Sequence, residues 1–261
     1  MTGTIQRRYS ERVARGEIES DPAQIEAVKK LDALCVALGE TRMARKSSAL
    51  GWLFGARKAP EPPRGLYIWG SVGRGKTMLM DLFFETVEVR RKRRAHFHSF
   101  MADVHVRIHE WRRKIKAGEV KGDDPIAPVA ADLAEEAWLL CFDEFAVTDI
   151  ADAMILGRLF QALFAKGVVV VATSNVEPGD LYRDGLNRAL FLPFIDMIRQ
   201  RMEVTKLEAR TDFRLEKLSG SEVWFTPLGE EATAHLQKLF QTLSGVARGV
   251  LAGLGEQPGV L

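Results

Sequence analysis

The sequence predicts an α/β fold, with a five-stranded parallel sheet flanked by helices. Three observations predict it. Five short runs of strand-forming residues alternate with helical patterns, as expected when crossover helices join parallel strands. A glycine-rich loop follows the first run, and an acidic pair follows the third. With 261 residues, the chain is long enough for one large domain or two small ones.

The glycine-rich loop at residues 70–77 matches G-x-x-x-x-G-K-[ST], the phosphate-binding P-loop. Residues 66–69 before it predict a strand, and residues 78–84 after it predict a buried helix. In that context, backbone N–H groups and the helix N-terminus converge on a phosphate anion. The predicted nucleotide-binding residues are Gly70, Ser71, Val72, Gly73, Arg74, Gly75, Lys76, Thr77 and Met78. Lys76 can reach the β- and γ-phosphates and Thr77 can bind Mg²⁺, so ATP and Mg²⁺ are the predicted cofactors.

The acidic pair, Asp143 and Glu144, ends the apolar run that begins at residue 137. A hydrophobic strand that ends in acidic residues is the Walker B pattern. Because ligands of parallel sheets bind at the carboxyl ends of the strands, Asp143 is predicted to face the glycine loop and to hold Mg²⁺. Glu144 is predicted to orient or deprotonate the attacking water.

A continuous β-branched run at residues 168–171 predicts a central parallel strand that ends at Asn175. An asparagine in this place can position the hydrolytic water beside the γ-phosphate. The alternative is that Asn175 only caps the turn before Pro178.

Residues 90–94 form an unbroken basic run. The run is predicted to be a solvated loop between a helix and a strand, and contact with the phosphates of nucleic acid or anionic lipid is the alternative. The strand is expected at residues 95–99, so that His96 and His98 face the same side of the sheet. Without further metal ligands nearby, packing and hydrogen bonding are the expected roles of the two histidines.

Helical spacing of apolar residues and turn signals predict the remaining elements. Asp21 is expected to cap the first helix and Gly39 to end it. Pro193 implies a kink or a late start in the last helix. The predicted helices are 21–42, 78–89, 101–116, 148–165, 187–201 and about 230–243. A loop is expected at 118–128, and the last strand is expected at 203–207. The predicted domains are an N-terminal helical segment and linker at 1–64, a P-loop core at 65–210 and a partial, lid-like C-terminal region at 211–261.

Net charge, cysteine count and the length of apolar runs limit the classes of protein to which the sequence can belong. The net charge of +2 is too small to indicate a nucleic-acid partner by itself. The two cysteines lie far apart in the sequence, which gives no sign of a disulfide framework or a zinc site. The first residues lack the apolar segment of a secretory signal, and no apolar run approaches the roughly 20 residues of a membrane helix. A cytoplasmic protein is therefore expected.

Several stretches of the sequence match one family. The most specific are Arg-Ala-His-Phe-His-Ser-Phe-Met at 94–101 and Phe-Leu-Pro-Phe-Ile at 191–195. Further matches are the stretches 65–77, 140–145, 173–175, 181–182, 185–188 and 212–214. In these stretches the sequence resembles the ZapE-type AAA+ ATPases, a family of bacterial cell-division ATPases with mitochondrial lactation-elevated relatives. The resemblance covers most of residues 16–230.

The resemblance implies an ATPase that acts on proteins at or near the inner membrane. The implied partners are the tubulin-like protein of the bacterial division ring, or inner-membrane proteins in mitochondria, with peripheral membrane contact. It also implies homo-oligomers in which Arg188 reaches the neighbour's γ-phosphate, with Arg183 and Arg199 as rivals and a surface helix arginine as the alternative. Arg214 is a weak candidate for a second arginine sensor.

Three other functions compete with this one. A helicase-loader or replication-type AAA+ ATPase, with DNA as its partner, is the main alternative, although no compact DNA-binding motif accompanies the basic run. A nonhydrolysing nucleotide-binding scaffold is disfavoured by Glu144. A GTPase is disfavoured because no N-K-x-D motif is present.

Overall fold

The computed structural model describes residues 3–51, 61–208 and 233–234, and within the second helix it describes side chains only up to residue 43. The chain divides into two units, Met1–Arg210 and Thr211–Leu261. Arg214 and nearly all of the predicted region 211–261 lie outside the described residues. Within the described part of the chain, no helix combines the length and apolar character needed to span a membrane.

Seven helices and five strands are described in the first unit. The helices are α1 (Thr4–Ala14), α2 (Pro22–Gly51), α3 (Lys76–Thr86), α4 (Phe97–Lys116), α5 (Ile126–Glu136), α6 (Ile150–Ala165) and α7 (Leu192–Arg201). The strands are β1 (Gly65–Trp69), β2 (Lys92–His96), β3 (Leu139–Asp143), β4 (Val169–Ser174) and β5 (Met202–Lys206). Short 3-10 turns lie at Pro178–Asp180 and Arg188–Leu190.

The five strands form one sheet in the order β2-β3-β4-β1-β5, and every neighbouring pair is parallel. The predicted five-stranded parallel sheet is therefore confirmed. Strand β4 lies between β1 and β3, so the strand that precedes the glycine loop and the strand that ends in the acidic pair are not neighbours. The carboxyl end of β4 consequently lies between the loop and the pair, as the prediction of a central strand requires.

The sheet is buried on both faces, which explains why β1, β3 and β4 are almost continuously apolar. One face carries an aromatic core in which Phe142 contacts the rings of Phe97, Phe100 and Phe160. The other face packs against α1, α2 and α3. Side chains alternate between the two cores along each strand; in β3, for example, Phe142 belongs to the first core and Cys141 to the second.

The predictions for the basic run and the second strand were wrong. The strand is Lys92–His96, so it includes most of the basic run, and α4 begins at Phe97. His96 therefore ends a strand and His98 lies in the first turn of a helix, so the two do not share a sheet face. A strand of charged residues is stable here because its cations have partners. Lys92, for example, donates to the carbonyl oxygens of Phe84 and Val87.

The predicted helices also need correction: one ends later than predicted, and two were missed. Helix α2 continues through Gly39 to Gly51, because a single glycine costs a helix only about 1 kcal/mol and Leu38 remains fully buried. Helix α1 was missed; its N-terminus is capped by Asp32, which accepts from the backbone N–H groups of Ile5 and Gln6. Helix α5 was missed because its first turn lies in the predicted loop at 118–128.

Candidate nucleotide-binding site

The glycine loop makes a tight turn from β1 into α3. A Cβ atom on Gly70 would lie 2.5 Å from the backbone oxygen of Leu207, so only glycine fits there. Gly73 and Gly75 have φ angles of +79° and +84°, in the left-handed region that favours glycine. Gly75 is also the N-cap of α3, and among the described residues no side chain caps this helix. Gly75 itself offers no side-chain acceptor, and the N–H groups of the first turn of a helix suit an anionic ligand.

Lys76 is the first residue of α3 and lies over the loop. Its Nζ donates to the backbone oxygens of Gly70 and Ser71, each at 2.7 Å. The ammonium group is thus held at the loop that is predicted to bind the phosphates. Thr77, the next residue, is exposed in the first turn of the same helix.

A buried polar chain from α1 and α2 supports the loop, and it was not predicted from the sequence. Gln24 is only 1% exposed; its Nε2 donates to the backbone oxygen of Arg74 at 3.0 Å, and its Oε1 accepts from the hydroxyl of Tyr9 at 2.9 Å. Burial raises the pKa of Tyr9, so the hydroxyl keeps the proton that it donates. The available signal was a glutamine beside the apolar positions Ala27 and Val28 of α2.

The two acidic residues have opposite environments. The side chain of Asp143 ends β3 and is 8% exposed. Its Oδ2 accepts from Nε of Arg94 at 2.6 Å, whereas its Oδ1 is buried and has no hydrogen-bond partner within the described part of the chain. The side chain of Glu144 is 79% exposed, and its φ of +53° is uncommon for a residue with a Cβ atom. The backbone therefore turns sharply between the two carboxylates.

These residues fit Mg²⁺. A buried carboxylate oxygen without a described partner, Oδ1 of Asp143, is the hard oxygen ligand that Mg²⁺ prefers, directly or through water. Asp143 ends β3, and Thr77 lies just after the loop that follows β1. Because all strands are parallel, both residues belong to the carboxyl edge of the sheet.

Asn175 is the first residue after β4 and is exposed. Its neighbour Ser174 ties this end of the strand to the acidic segment, since the Ser174 hydroxyl donates to the backbone oxygen of Phe145 at 2.6 Å. The same Ser174 oxygen accepts from the backbone N–H of Val176. Among the described contacts, Ser174 therefore provides a side-chain acceptor in the turn after β4.

The structure does not bring Arg188 to the glycine loop of its own chain through any described contact. Its Nη2 donates to the backbone oxygen of Gly179 at 2.5 Å, and its Nε is buried without a described partner. The rivals are held by long ion pairs, Arg183 to Asp180 at 3.5 Å and Arg199 to Glu177 at 3.7 Å.

Arg94 belongs to the site, although the sequence did not single it out. It donates from Nε to Asp143 and from Nη1 to Oδ1 of Asp81 on α3. Burial lowers the pKa of Arg94, but the hydrogen bonds to the two carboxylates raise it, and the net shift is upward. Its position at the start of the most family-specific stretch was the available signal.

Known proteins resemble the chain over most of its length. A family model described as "AFG1-like ATPase" matches residues 3–252. The cell division protein ZapE of Escherichia coli K12 is 43% identical over 248 residues, 92% of this chain and 64% of the relative. Lactation elevated protein 1 homolog B of Danio rerio is 48% identical over 189 residues, 71% of this chain and 38% of the relative. The chain thus spans less than two thirds of the length of these relatives.

A solved structure of the DnaC helicase loader matches at 13% identity with a TM-score of 0.44, over 72% of this chain and 92% of that one. A likeness this weak adds nothing to the fold, which the sheet order and the family match establish.

Proposed function

The chain belongs to the AFG1-like ATPase family, and we propose that it binds ATP with Mg²⁺ and hydrolyses it to act on a protein partner. One observation carries the proposal: the carboxyl edge of the sheet holds both the glycine loop and a buried aspartate with an oxygen that has no described partner. Because most buried polar side-chain atoms have a hydrogen-bond partner, a buried carboxylate oxygen without a described one favours a ligand at this site.

In the proposed mechanism, the loop and α3 bind the phosphates. The N–H groups of the loop and of the first helical turn donate to phosphate oxygens. Lys76 exchanges the carbonyl oxygens of Gly70 and Ser71 for the β- and γ-phosphates, so its charge is already in place when the nucleotide arrives. The hydrogen bonds from Tyr9 to Gln24 and from Gln24 to the backbone oxygen of Arg74 keep the loop in the binding conformation.

Polar side chains at the carboxyl edge of the sheet bind the metal and position the water. Thr77 and Asp143 would hold Mg²⁺, which when bound neutralises the charge on the phosphates. Exposed Glu144 orients the water and accepts its proton. Asn175, which follows the strand between the loop and the acidic pair, positions the same water.

We propose that Arg188 acts on the nucleotide of a neighbouring copy. Such an arginine must leave its contact with Gly179, where one of its nitrogen atoms has no described partner. The exposed Leu186 and Leu190, at 70% and 68%, flank it and are suited to burial between copies. The predicted homo-oligomer provides that neighbour.

The proposed partner is a protein of the cell-division machinery at the inner membrane, because one relative is named a cell division protein. The predicted tubulin-like ring protein is the first candidate, and peripheral membrane contact is part of the proposal. A DNA partner is less favoured, since Arg93 and Arg94 of the basic run already have carboxylate partners in this chain.

Phosphate release from ATP by the full chain tests the proposed reaction. We expect Mg²⁺-dependent release from the wild type and none above background from Lys76→Ala. A matched control is Lys29→Met, which changes an exposed lysine on α2 that pairs with Glu26 and should leave the rate unchanged. Equal release from the wild type and Lys76→Ala would exclude the glycine loop as the site of hydrolysis.

The partner is tested separately. Glu144→Gln is expected to hold ATP without hydrolysing it and so to accumulate any complex that ATP stabilises. The purified tubulin-like division protein should co-sediment with this variant in ATP and not in ADP. Absence of ATP-dependent co-sedimentation would reject this partner but not the hydrolysis.

A further inference from the structure

We propose that Arg94 is the positioning residue of the metal site: it fixes the carboxylate of Asp143 so that Oδ1 faces the cation. This inference rests on the proposed Mg²⁺-dependent binding of ATP and adds a residue to it. The structural feature behind it is a bridge in which one guanidinium group joins β3 to α3.

The bridge follows from the strand register. Arg94 lies opposite Cys141 in the parallel pair of β2 and β3. Because side chains alternate along a strand, Cys141 and Asp143 share a face, and Arg94 reaches along that face to Oδ2 of Asp143 at 2.6 Å. Cys141 belongs to the core that includes α3 residues such as Leu79. The bridge therefore lies on the side of the sheet that α3 covers.

The other end of the bridge lies on α3, the helix that follows the glycine loop. Asp81 is on α3, the helix whose first two residues are Lys76 and Thr77. Its Oδ1 accepts from Nη1 of Arg94. Arg94 thus fixes the proposed ligand on β3 relative to the helix that carries the other ligand.

Only an arginine can make this bridge. Nε and Nη1 point in different directions from one rigid plane, so each can donate to a separate carboxylate. A lysine would offer one point charge on a flexible stem. The bridge uses only Oδ2 of Asp143 and leaves Oδ1 without a described partner, so the aspartate can keep its arginine while it binds a metal.

The charge of Asp143 supports the same conclusion. A carboxylate that is only 8% exposed is costly to bury without a cation. Arg94 supplies that cation whether or not a metal is bound. Partners that orient a metal ligand in this way commonly contribute about 10–100-fold to metal affinity.

The test is a Mg²⁺ titration of nucleotide binding. A fluorescent, nonhydrolysable ATP analogue is bound to the full-length protein, and the Mg²⁺ concentration that gives half-maximal binding is measured. For Arg94→Met, we expect that concentration to rise about 10–100-fold. Arg94→Lys should restore at most part of the affinity, because lysine cannot bridge both carboxylates.

Arg93 provides a matched control on the same strand. It also pairs with two carboxylates, Asp103 and Glu136, but neither belongs to the proposed metal site. Arg93→Met therefore removes the same charge and a similar set of ion pairs, and it should leave the Mg²⁺ requirement unchanged. A thermal melt of each variant shows that it is folded.

An unchanged Mg²⁺ requirement in folded Arg94→Met would overturn the inference, and so would a lower one, which would make Arg94 a competitor of the metal. If Arg94→Met does not fold, Asp81→Asn decides: it removes one end of the bridge at a half-exposed position, and a clear rise in the Mg²⁺ requirement is expected. No rise there would contradict the inference. If the wild type itself shows no Mg²⁺-dependent binding, the proposed function fails instead.

Discussion

The carboxyl edge of the sheet and the segment around Arg188 differ in how fully their side chains are paired and buried within one chain. At the edge, Lys76, Asp143 and Gln24 are each held by hydrogen bonds to neighbouring elements. Around Arg188, two large leucines are exposed, and the described hydrogen bond of the arginine goes to a backbone oxygen. This difference supports the proposal that one chain arranges its own phosphate-binding loop, whereas Arg188 acts on the nucleotide of another copy.

The largest expected effect comes from Arg188→Ala. We expect ATP hydrolysis to fall by about 10³–10⁵-fold, the usual contribution of an arginine that stabilises the transition state, while nucleotide binding is retained. Steady-state phosphate release of the assembled protein measures it. Arg183→Ala, which changes an exposed arginine with a long ion pair, is the matched control and should be close to wild type.

Mixing variants distinguishes action between copies from action within one. Arg188→Ala and Lys76→Ala subunits are each expected to be inactive alone. Mixed assemblies should recover activity, because a Lys76→Ala subunit can lend Arg188 to a neighbour with an intact loop. No recovery despite co-assembly would assign Arg188 a role within its own chain or none.

A smaller effect is expected from Asn175→Ala. Loss of one group that positions the water should lower the rate of hydrolysis by about 10²-fold without changing stability, because Asn175 is exposed. Ser174→Ala, by contrast, should lower the melting temperature, because it removes a buried hydrogen bond to the backbone oxygen of Phe145. If Asn175→Ala hydrolyses ATP at the wild-type rate, Asn175 has no part in positioning the water.

The smallest effect concerns the support of the loop. Gln24→Leu keeps a similar volume but leaves the backbone oxygen of Arg74 and the hydroxyl of Tyr9 without this partner. We expect the free energy of unfolding to fall by about 1–3 kcal/mol, measured by urea denaturation, together with weaker nucleotide binding. Lys29→Met on the same helix should stay within about 0.5 kcal/mol of wild type. Unchanged nucleotide binding in Gln24→Leu would show that the loop does not need this support.

Local patterns were sufficient for much of the fold. The β-branched run of β4, the glycine loop and the apolar strand before Asp143 each contain their own signal, because burial on both faces demands continuous apolar residues. Pro193 left a kink or a late start open; the structure has the late start, since α7 begins at Leu192 and not at residue 187, with Pro193 in its first turn.

Long-range pairing explains most of what the sequence did not reveal. The charged sequence of β2 is typical of a loop. It forms a strand because Asp103, Glu136 and Asp143, from other elements, pair with its arginines. The cap of α1 comes from Asp32, 27 residues away from Ile5. The partners of Gln24 and Arg94 likewise lie on other elements, so a pattern of neighbouring residues could not reveal their place in the site.

In the proposed mechanism, Asp143 holds Mg²⁺ and Glu144 activates the water of the same ATPase site. The most direct measurement is single-turnover phosphate release by Glu144→Gln with bound Mg²⁺ and ATP. The variant should bind ATP like the wild type and release phosphate about 10²–10⁴-fold more slowly, as expected when a general base is lost. Phosphate release at the wild-type rate would contradict the assignment of Glu144 and the mechanism built on it.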